Sequence, residues 1–446
     1  LSVKLLAADK SLEGVVVVGY GTQRRRDVTG SVASVNEKAL REVPVANLQQ
    51  ALQGRAAGLE VQRVGTKPGS GAVIRIRGER TINGSNDPLI ILDGIPFEGG
   101  SLNDINPDDV ASVDVLKDAS ATAVYGSRGS NGVILITTKK GKPGESRLTY
   151  NGYYGVTSVR TKYNVLNAQE YIAMRDMTNI NPYMAEELVS KAKGTETNWQ
   201  DLMYQNGYVT DHNLTISGGT AGGSTYSLGG GYYKETTVLP GQDFSRYSLK
   251  ATIDAKIGTR FRVGLNTMNT LGLTNGSQFN NPMFPIITLS PLMPAYDTAG
   301  GLVLSPTGNT TDRVSQYNPL LLKNGDKNQY IDKVRRLRTF NTLYGEAQLT
   351  KGLKFRLNVG LDYRQQENDQ FQKSDKAASP SYFRPKKGNT ASVTNGEGYG
   401  YTLENILTYD KTIGKHKFTV TGLYSFQEDR SHSTSVSKDS IDEDFI

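Results

Sequence analysis

Side chains that commonly carry out chemistry are scarce in this sequence. Its 446 residues include no cysteine and three histidines, His212, His416 and His432. Thiolate zinc sites, thiol nucleophiles and disulfides are therefore excluded, and a histidine triad or a multi-histidine metal centre has little to form from. A glycosidase needs two carboxylates that flank a cleft, but Asp108-Asp109 lies in a turn-like stretch and residues 442–444 lie in a loop-like one. We expect no enzyme and no catalytic residues.

Three short motifs suit ligands but lack the context that those ligands require. Residues 69–71, Gly-Ser-Gly, resemble part of a phosphate-binding loop, yet they precede the alternating residues 73–77 rather than a helix. Residues 439–444 offer oxygen ligands for calcium, but their spacing matches no EF-hand loop. The three arginines at 24–26 suit contact with acidic lipid or a partner, or a solvated linker. We expect no metal site and no cofactor, with calcium left open.

The composition fits a protein built from β-strands. Hydrophobic residues make up 37%, glycine occurs 48 times, and tyrosine outnumbers phenylalanine by 24 to 12. No apolar run approaches the ~18–20 residues of a membrane-spanning helix. A transmembrane β-barrel fits, because its strands expose apolar side chains only at alternate positions; a soluble all-β protein is the alternative. The net charge of +7 is spread along the chain, which favours no nucleic-acid groove.

From residue 146 onward the sequence alternates between polar and apolar residues in long strands. In residues 244–257, one face carries Tyr247, Leu249, Ala251, Ile253, Ala255 and Ile257, and the other carries Arg246, Ser248, Lys250, Thr252, Asp254 and Lys256. About nine such strands are predicted, at 147–158, 210–219, 224–237, 244–257, 260–274, 337–350, 353–363, 398–411 and 415–430. Roughly 13 residues, tilted by ~45°, cover the ~30 Å hydrocarbon core of a membrane. Short and long connections alternate, as periplasmic turns and extracellular loops would.

Four segments of the sequence carry a family resemblance. They are residues 15–21 (VVVVGYG), 74–78 (IRIRG), 88–96 (PLIILDGIP) and 106–141. The last segment begins with NPDD, includes a buried-strand pattern at 133–138 and ends in basic residues. Their residues, order and spacing resemble those of the TonB-dependent outer-membrane transporters, and most closely those of the SusC/RagA family. The close resemblance covers the first third of the chain, and a looser one covers the rest.

The resemblance implies an α/β plug domain followed by an antiparallel transmembrane β-barrel. Residues 1–12 would end a preceding β-sandwich domain or linker, 13–26 would hold the TonB box and a linker, 27–142 the plug, and 143–446 the first part of the barrel. The family barrel has twenty-two strands, so nine strands leave it incomplete. We expect that a C-terminal portion and the true N-terminus are missing from this sequence.

The resemblance also implies a function and partners. The protein would sit in the outer membrane of a Gram-negative bacterium and actively import an oligosaccharide or oligopeptide, with TonB displacing the plug. A SusD-like surface lipoprotein would cover the barrel, and outer-membrane lipid would surround it. A receptor for siderophores or another cargo, or a passive porin-like channel, remains the alternative.

Site residues follow from the resemblance, each with a plainer interpretation beside it. The TonB-coupling segment would be Val15, Val16, Val17, Val18, Gly19 and Tyr20, which as a stiff, β-prone run could also be an ordinary buried strand. Arg75 and Arg77 would pair with carboxylates of the barrel wall, or be solvated. Two turn-rich loops would contact cargo or be ordinary turns; their candidate residues are Asn83, Ser85, Asn86, Glu98 and Asn103.

Overall fold

The computed structural model describes residues 15–18, 21–24, 32–41, 47–65, 67–99, 102–178, 183, 185–276, 283–303, 318–322, 330–372, 389–414 and 416–441. At the N-terminal end, strand β1 (Val15–Val18) pairs antiparallel with β2 (Gly21–Arg24), so that Val15 lies opposite Arg24. Gly19, Tyr20, residues 1–12 and the acidic residues 442–444 lie outside the described residues.

An α/β unit, residues 32–138, follows. Its strands are β3 (Val32–Asn36), β4 (Leu59–Arg63), β5 (Ala72–Ile76), β6 (Leu89–Leu92), β7 (Ile95–Pro96), β8 (Val110–Leu116) and β9 (Val133–Thr138). Five of them form one sheet in the order β3-β8-β9-β6-β7, in which β6 and β9 run parallel, while β4 and β5 form a separate pair. Its helices are α1 (Glu37–Arg41), α2 (Leu48–Leu52) and α3 (Ala119–Thr122).

The core of this unit consists of aliphatic side chains from the sheet and from α2. Val113, Val115, Ile134 and Leu48 are all less than 1% exposed. Helix α2 begins where the sequence supplies a cap, since the Asn47 side chain accepts a hydrogen bond from the backbone N–H of Gln50 at 2.9 Å.

The rest of the chain is a nine-stranded antiparallel sheet, here called the strand wall. Its strands pair in chain order: β10 (Ser146–Thr157), β11 (Gly207–Gly219), β12 (Thr225–Thr236), β13 (Asp243–Ile257), β14 (Phe261–Asn275), β15 (Tyr330–Thr350), β16 (Leu353–Gln372), β17 (Asn389–Ile413) and β18 (His416–Ile441). All nine predicted strands are confirmed. The last four are longer than predicted, because their added ends show no regular alternation of polar and apolar residues.

The strand wall is apolar on its exposed face and polar on its buried face. On β13, Tyr247 and Leu249 are 47% and 52% exposed, whereas Arg246 and Lys250 are 2% and 3% exposed. The α/β unit covers the polar face, and the wall side chains Met268 and Phe340 join its hydrophobic core. The predicted assignment of apolar and polar faces is confirmed.

The long connections between wall strands carry helices of their own. These are α4 (Ala168–Thr178), α5 (Ala185–Lys193), α6 (Trp199–Met203) and α7 (Met283–Thr288). Trp199 lies in a second apolar cluster, where its indole N–H donates to the carbonyl of Ser290 at 3.1 Å. In the described residues, no helix is both long and apolar enough to span a bilayer.

Candidate functional site

The turn before β8 is joined to the wall by buried side-chain hydrogen bonds. Asn106 caps the 3₁₀ helix Pro107–Asp109 and is 3% exposed. Its side-chain N–H donates to the Asn213 side-chain oxygen at 2.7 Å and to the Ser248 hydroxyl at 3.0 Å. Asn213 in turn donates to the Asp108 carboxylate at 2.7 Å. Asn151 on β10 also donates to Asp108, at 3.2 Å. One short turn is thus bonded to three wall strands, β10, β11 and β13.

Two buried cations on β13 bind backbone carbonyls of the same region. The Lys250 ammonium donates to the carbonyl of Lys139 at 2.6 Å and to that of Asp109 at 3.3 Å. The Arg246 guanidinium donates to the carbonyl of Asn103 at 3.4 Å. Burial raises the pKa of the Asp109 carboxyl above its ordinary value, and the positive charge of Lys250 opposes that shift.

On the other side of the unit, a buried charged group which we call the Arg338 cluster joins β15 and β16 to the loop after β7. The Arg338 guanidinium donates two hydrogen bonds to the Asp362 carboxylate, at 3.0 and 2.8 Å, and lies 3.5 Å from Asp104. It also donates to the carbonyl of Glu98 at 3.1 Å and stacks over the Phe97 ring. Its side chain is 3% exposed, so this contact is almost completely removed from solvent.

Arg364 supports the same loop from β16. Its guanidinium donates to the carbonyl of Glu98 at 2.7 Å and to the Asp429 carboxylate at 2.6 Å. A Cβ atom at Gly398 would lie 2.8 Å from its Nε atom, and one at Gly99 would also clash with it. The two glycines therefore provide the space in which this arginine lies between unit and wall.

The expected pairing of Arg75 and Arg77 with carboxylates of the wall is not found among the described residues. Arg75 pairs with Asp87 at 2.6 Å and with Glu79 at 3.8 Å, and Arg77 pairs with Asp118 at 2.5 Å. All three carboxylates belong to the α/β unit. Arg77 also follows the end of β5, with a positive φ of 58°, so the two arginines do not share a strand face.

The first predicted cargo loop is exposed, but one of its residues has a structural role. Asn83 and Ser85 are exposed. The Asn86 side chain instead closes the loop, because its oxygen accepts from the backbone N–H of Arg80 at 2.8 Å and of Thr81 at 3.0 Å. Of these three residues, Asn83 and Ser85 are accessible to a ligand in this conformation.

The two other predicted cargo residues also differ in whether a ligand can reach them. The Glu98 carboxylate is 39% exposed, pairs with Arg128 and accepts from the Gln427 amide at 3.0 Å. Asn103 is 4% exposed, and its side chain donates to the carbonyl of Gly69 at 2.7 Å. In this conformation Glu98 can therefore meet a ligand, whereas Asn103 is inaccessible.

The glycine loop at residues 69–71 is explained by packing rather than by a phosphate. Gly69 has a positive φ of 65°, and a Cβ atom there would lie 2.5 Å from the ring of Phe244 on β13. Only glycine tolerates both that backbone conformation and that approach. The loop lies directly against the wall.

A cavity of about 900 Å³ lies between the α/β unit and strands β15 to β18. Gly71, Gly99 and Asp104 line it from the unit, and Arg336, Arg338 and Arg364 are among its wall residues. In the part of the chain that the structure describes, no three His, Cys, Asp or Glu side chains come close enough to hold a metal ion. Arg336 and Arg338 were not predicted as site residues, although alternation along β15 places both on the polar face.

Comparisons with known proteins agree with this architecture. The family model described as TonB-dependent Receptor Plug Domain matches residues 24–133. TonB-dependent receptor P3 of Formosa agariphila is 34% identical over 96% of this chain and 41% of its own length, and SusC of Bacteroides thetaiotaomicron is 38% identical over 54% of this chain and 24% of its own. A solved structure of the RagAB peptide importer in the 'open-open' state superposes with a TM-score of 0.81 and 24% identity, covering 97% of this chain and 51% of that one. The chain thus spans about two fifths of the length of receptor P3.

Sequence and fold together make this chain a member of the SusC/RagA-type TonB-dependent receptors, in which the α/β unit is the plug and the strand wall is part of the barrel.

Proposed function

We propose that the protein to which this chain belongs imports an oligosaccharide or an oligopeptide across the outer membrane of a Gram-negative bacterium, driven by TonB. The observation that carries this proposal is the nature of the contact between plug and wall. It consists mainly of hydrogen bonds and ion pairs from buried wall cations, with Met268 and Phe340 as the wall's contribution to the plug core. Water can replace such bonds one by one at small net cost, so a plug held in this way can shift and open a path.

The proposed coupling segment is Val15, Val16, Val17, Val18, Gly19 and Tyr20. Its four valines form strand β1, whose partner is β2 along one edge. In the described residues, the other edge of β1 pairs with no strand. An unpaired edge of this kind can be extended by a strand of another protein, with affinity supplied by main-chain hydrogen bonds, and we propose TonB as that protein.

The proposed surroundings follow from the exposed surfaces. The apolar outward face, with Tyr247, Leu249 and Ile253 about half exposed, would contact outer-membrane lipid. The helices of the long connections expose Met177 and Leu188, which are 80% and 52% exposed, and would meet a SusD-like surface lipoprotein. Cargo would reach the plug at the accessible loop residues Asn83, Ser85 and Glu98.

The proposed function is tested by uptake of radiolabelled oligosaccharide and oligopeptide pools in cells that express the protein at its natural length. Removing residues 15–20 is expected to abolish uptake of one pool while binding of that pool to the cell surface persists. The deletion of six residues that precede the segment, 5–10, is the matched control for chain length and should leave uptake unchanged. Unchanged uptake without residues 15–20 would refute the coupling role and favour a passive channel.

A further inference from the structure

The inward faces of β15 to β18 form rows of side chains across the four strands. One row joins Arg338, Arg364, Gly398 and Ser431, which are register partners from strand to strand. Arg338 and Arg364 in this row are matched by carboxylates of Asp104, Asp362 and Asp429. The charges at this level are therefore compensated within the protein.

The next row towards the long connections carries one arginine and no carboxylate. It joins Arg336, Gln366, Gly396 and Ser433, and lies about 7 Å further along the strands. The rows beyond it carry further neutral polar side chains: Asn368, Gln370, Ser392, Thr394, Ser435 and Ser437. This upper part of the wall offers hydrogen-bond donors and acceptors, and its cation is Arg336.

The Arg336 guanidinium has N–H donors that no described residue of this row engages. Among the described residues, its guanidinium donates from Nε to the Gln366 side-chain oxygen at 2.9 Å, and no carboxylate lies within 4.0 Å of it. Asp332, two rows further along the same inward face, interacts instead with Lys67 of the plug. Arg335, the neighbour of Arg336, points to the opposite face, where it pairs with Glu367 at 3.9 Å.

The space in front of Arg336 is large enough for part of an oligomeric cargo. The cavity that it lines measures about 900 Å³, within the range of small-ligand sites. Gly396 and Gly398 contribute no side chain to it, which leaves the floor beside Arg336 and Arg364 open. Among the described lining residues there is no phenylalanine, tyrosine or tryptophan on which a neutral sugar ring could stack.

We propose that this cavity binds a carboxylate of the cargo through Arg336, so that the protein selects acidic oligomers. A guanidinium matches a carboxylate with two parallel N–H donors, and a charge-assisted bond of this kind is stronger than a neutral one. Gln366 holds Nε, which leaves the two terminal nitrogens of this cavity-lining residue available to a ligand. The amides and hydroxyls of the upper rows would bind the rest of the chain. This inference rests on the proposed function, since it names the chemical class of the imported cargo.

A carboxylate could come from an oligopeptide or from a uronate-containing oligosaccharide, and the test separates the two. Binding to the purified full-length protein would be measured by isothermal titration calorimetry. One pair of probes is an N-acetylated glycine–serine hexapeptide with a free C-terminal carboxylate and the same peptide as its C-terminal amide. The other pair is a hexagalacturonate and its methyl ester.

In one of the two probe pairs, the carboxylate-bearing probe is expected to bind about tenfold to a hundredfold more tightly than its neutral form. Arg336→Gln should bring that ratio close to one, and Arg336→Lys should keep part of it. Arg335→Gln, on the opposite face of the same strand, should leave the ratio unchanged. The ratio of acidic to neutral probe affinity is also measured on the wild type. The inference can therefore still be refuted if a variant fails to fold.

Two results would overturn the inference: neutral and acidic forms that bind the wild type equally, or an acid preference that persists in Arg336→Gln. The proposed function can fail independently. An acid preference that depends on Arg336, together with uptake that ignores residues 15–20, would retain the binding site and refute TonB-driven import. Import that depends on residues 15–20 but accepts only neutral cargo would retain the function and refute the site.

Discussion

Arg338→Met is expected to loosen the loop between β7 and β8 from the wall while leaving the wall itself folded. Methionine keeps an apolar stem against Phe97 but removes the charge. The Asp362 and Asp104 carboxylates, whose side chains are 10% and 15% exposed, then lose the cation between them. Removing one partner of a buried ion pair costs about 3–5 kcal/mol.

Hydrogen exchange read by mass spectrometry measures this loss where it occurs. A decrease of about 3 kcal/mol in the free energy of local opening should accelerate amide exchange in residues 102–110 about a hundredfold. Exchange in β9 reports opening of the plug core and should change much less. Arg335→Met, an exposed arginine on the outward face of β15, is the matched control and should change neither segment.

The reasoning is refuted if residues 102–110 exchange at the same rate in Arg338→Met and in the wild type. A second variant tests its electrostatic basis. Arg338→Met combined with Asp362→Leu replaces the ion pair by apolar side chains and should recover much of the protection, because the cost of the single change is largely an uncompensated buried charge. No recovery would mean that hydrogen-bond geometry, rather than charge, holds the loop.

Three further predictions concern the same interface, each read from denaturant midpoints of plug unfolding. Asn106→Ala should lower the stability of the plug by about 1–3 kcal/mol, because its two wall partners lose a buried donor; Asn83→Ala, at an exposed position, should have no effect. Gly69→Ala should cost more than Gly65→Ala, since both have a positive φ but only a Cβ at residue 69 meets a wall side chain; equal costs would contradict the packing argument. Asp109→Asn should stabilise the plug at pH 7, because burial raises the native pKa and stability falls as pH rises from the unfolded to the native pKa; the gain should vanish near pH 4, and a loss at pH 7 would contradict it.

The faces of the wall strands could be read from the sequence because a strand has a period of two. Tyr247 and Lys250 fall on opposite faces whatever the register with neighbouring strands, and the structure agrees. The outer ends of β17 and β18 could not be read in this way. Residues 431–441 are polar at nearly every position, so nothing in the pattern distinguishes a strand from a loop.

The ion pairs between plug and wall could not be predicted from the sequence, for a different reason. Arg75 was a natural candidate by its place in an alternating strand, but its partner Asp87 comes from a loop that folds back beside it. Arg338 reaches Asp104 across 234 residues of sequence, and only the packing of the plug against the strand wall brings that loop to β15. Alternation identifies which side chains turn inward, whereas their partners depend on how the plug is oriented inside the wall.

If the strand wall spans the outer membrane as proposed, the length of the last strands determines how far the protein stands above the bilayer. On β17 the outward residues change from Tyr401 and Tyr399 to Glu397, and the Tyr399 hydroxyl donates to the Glu397 carboxylate at 3.4 Å. The strand continues from there to Asn389, which at a tilt of ~45° adds a rim roughly 20 Å high. Such a rim is hydrogen-bonded sheet rather than loop. At the proposed location in the outer membrane, a molecule approaching the cell surface on this side therefore meets paired strands before it reaches the lipid headgroups.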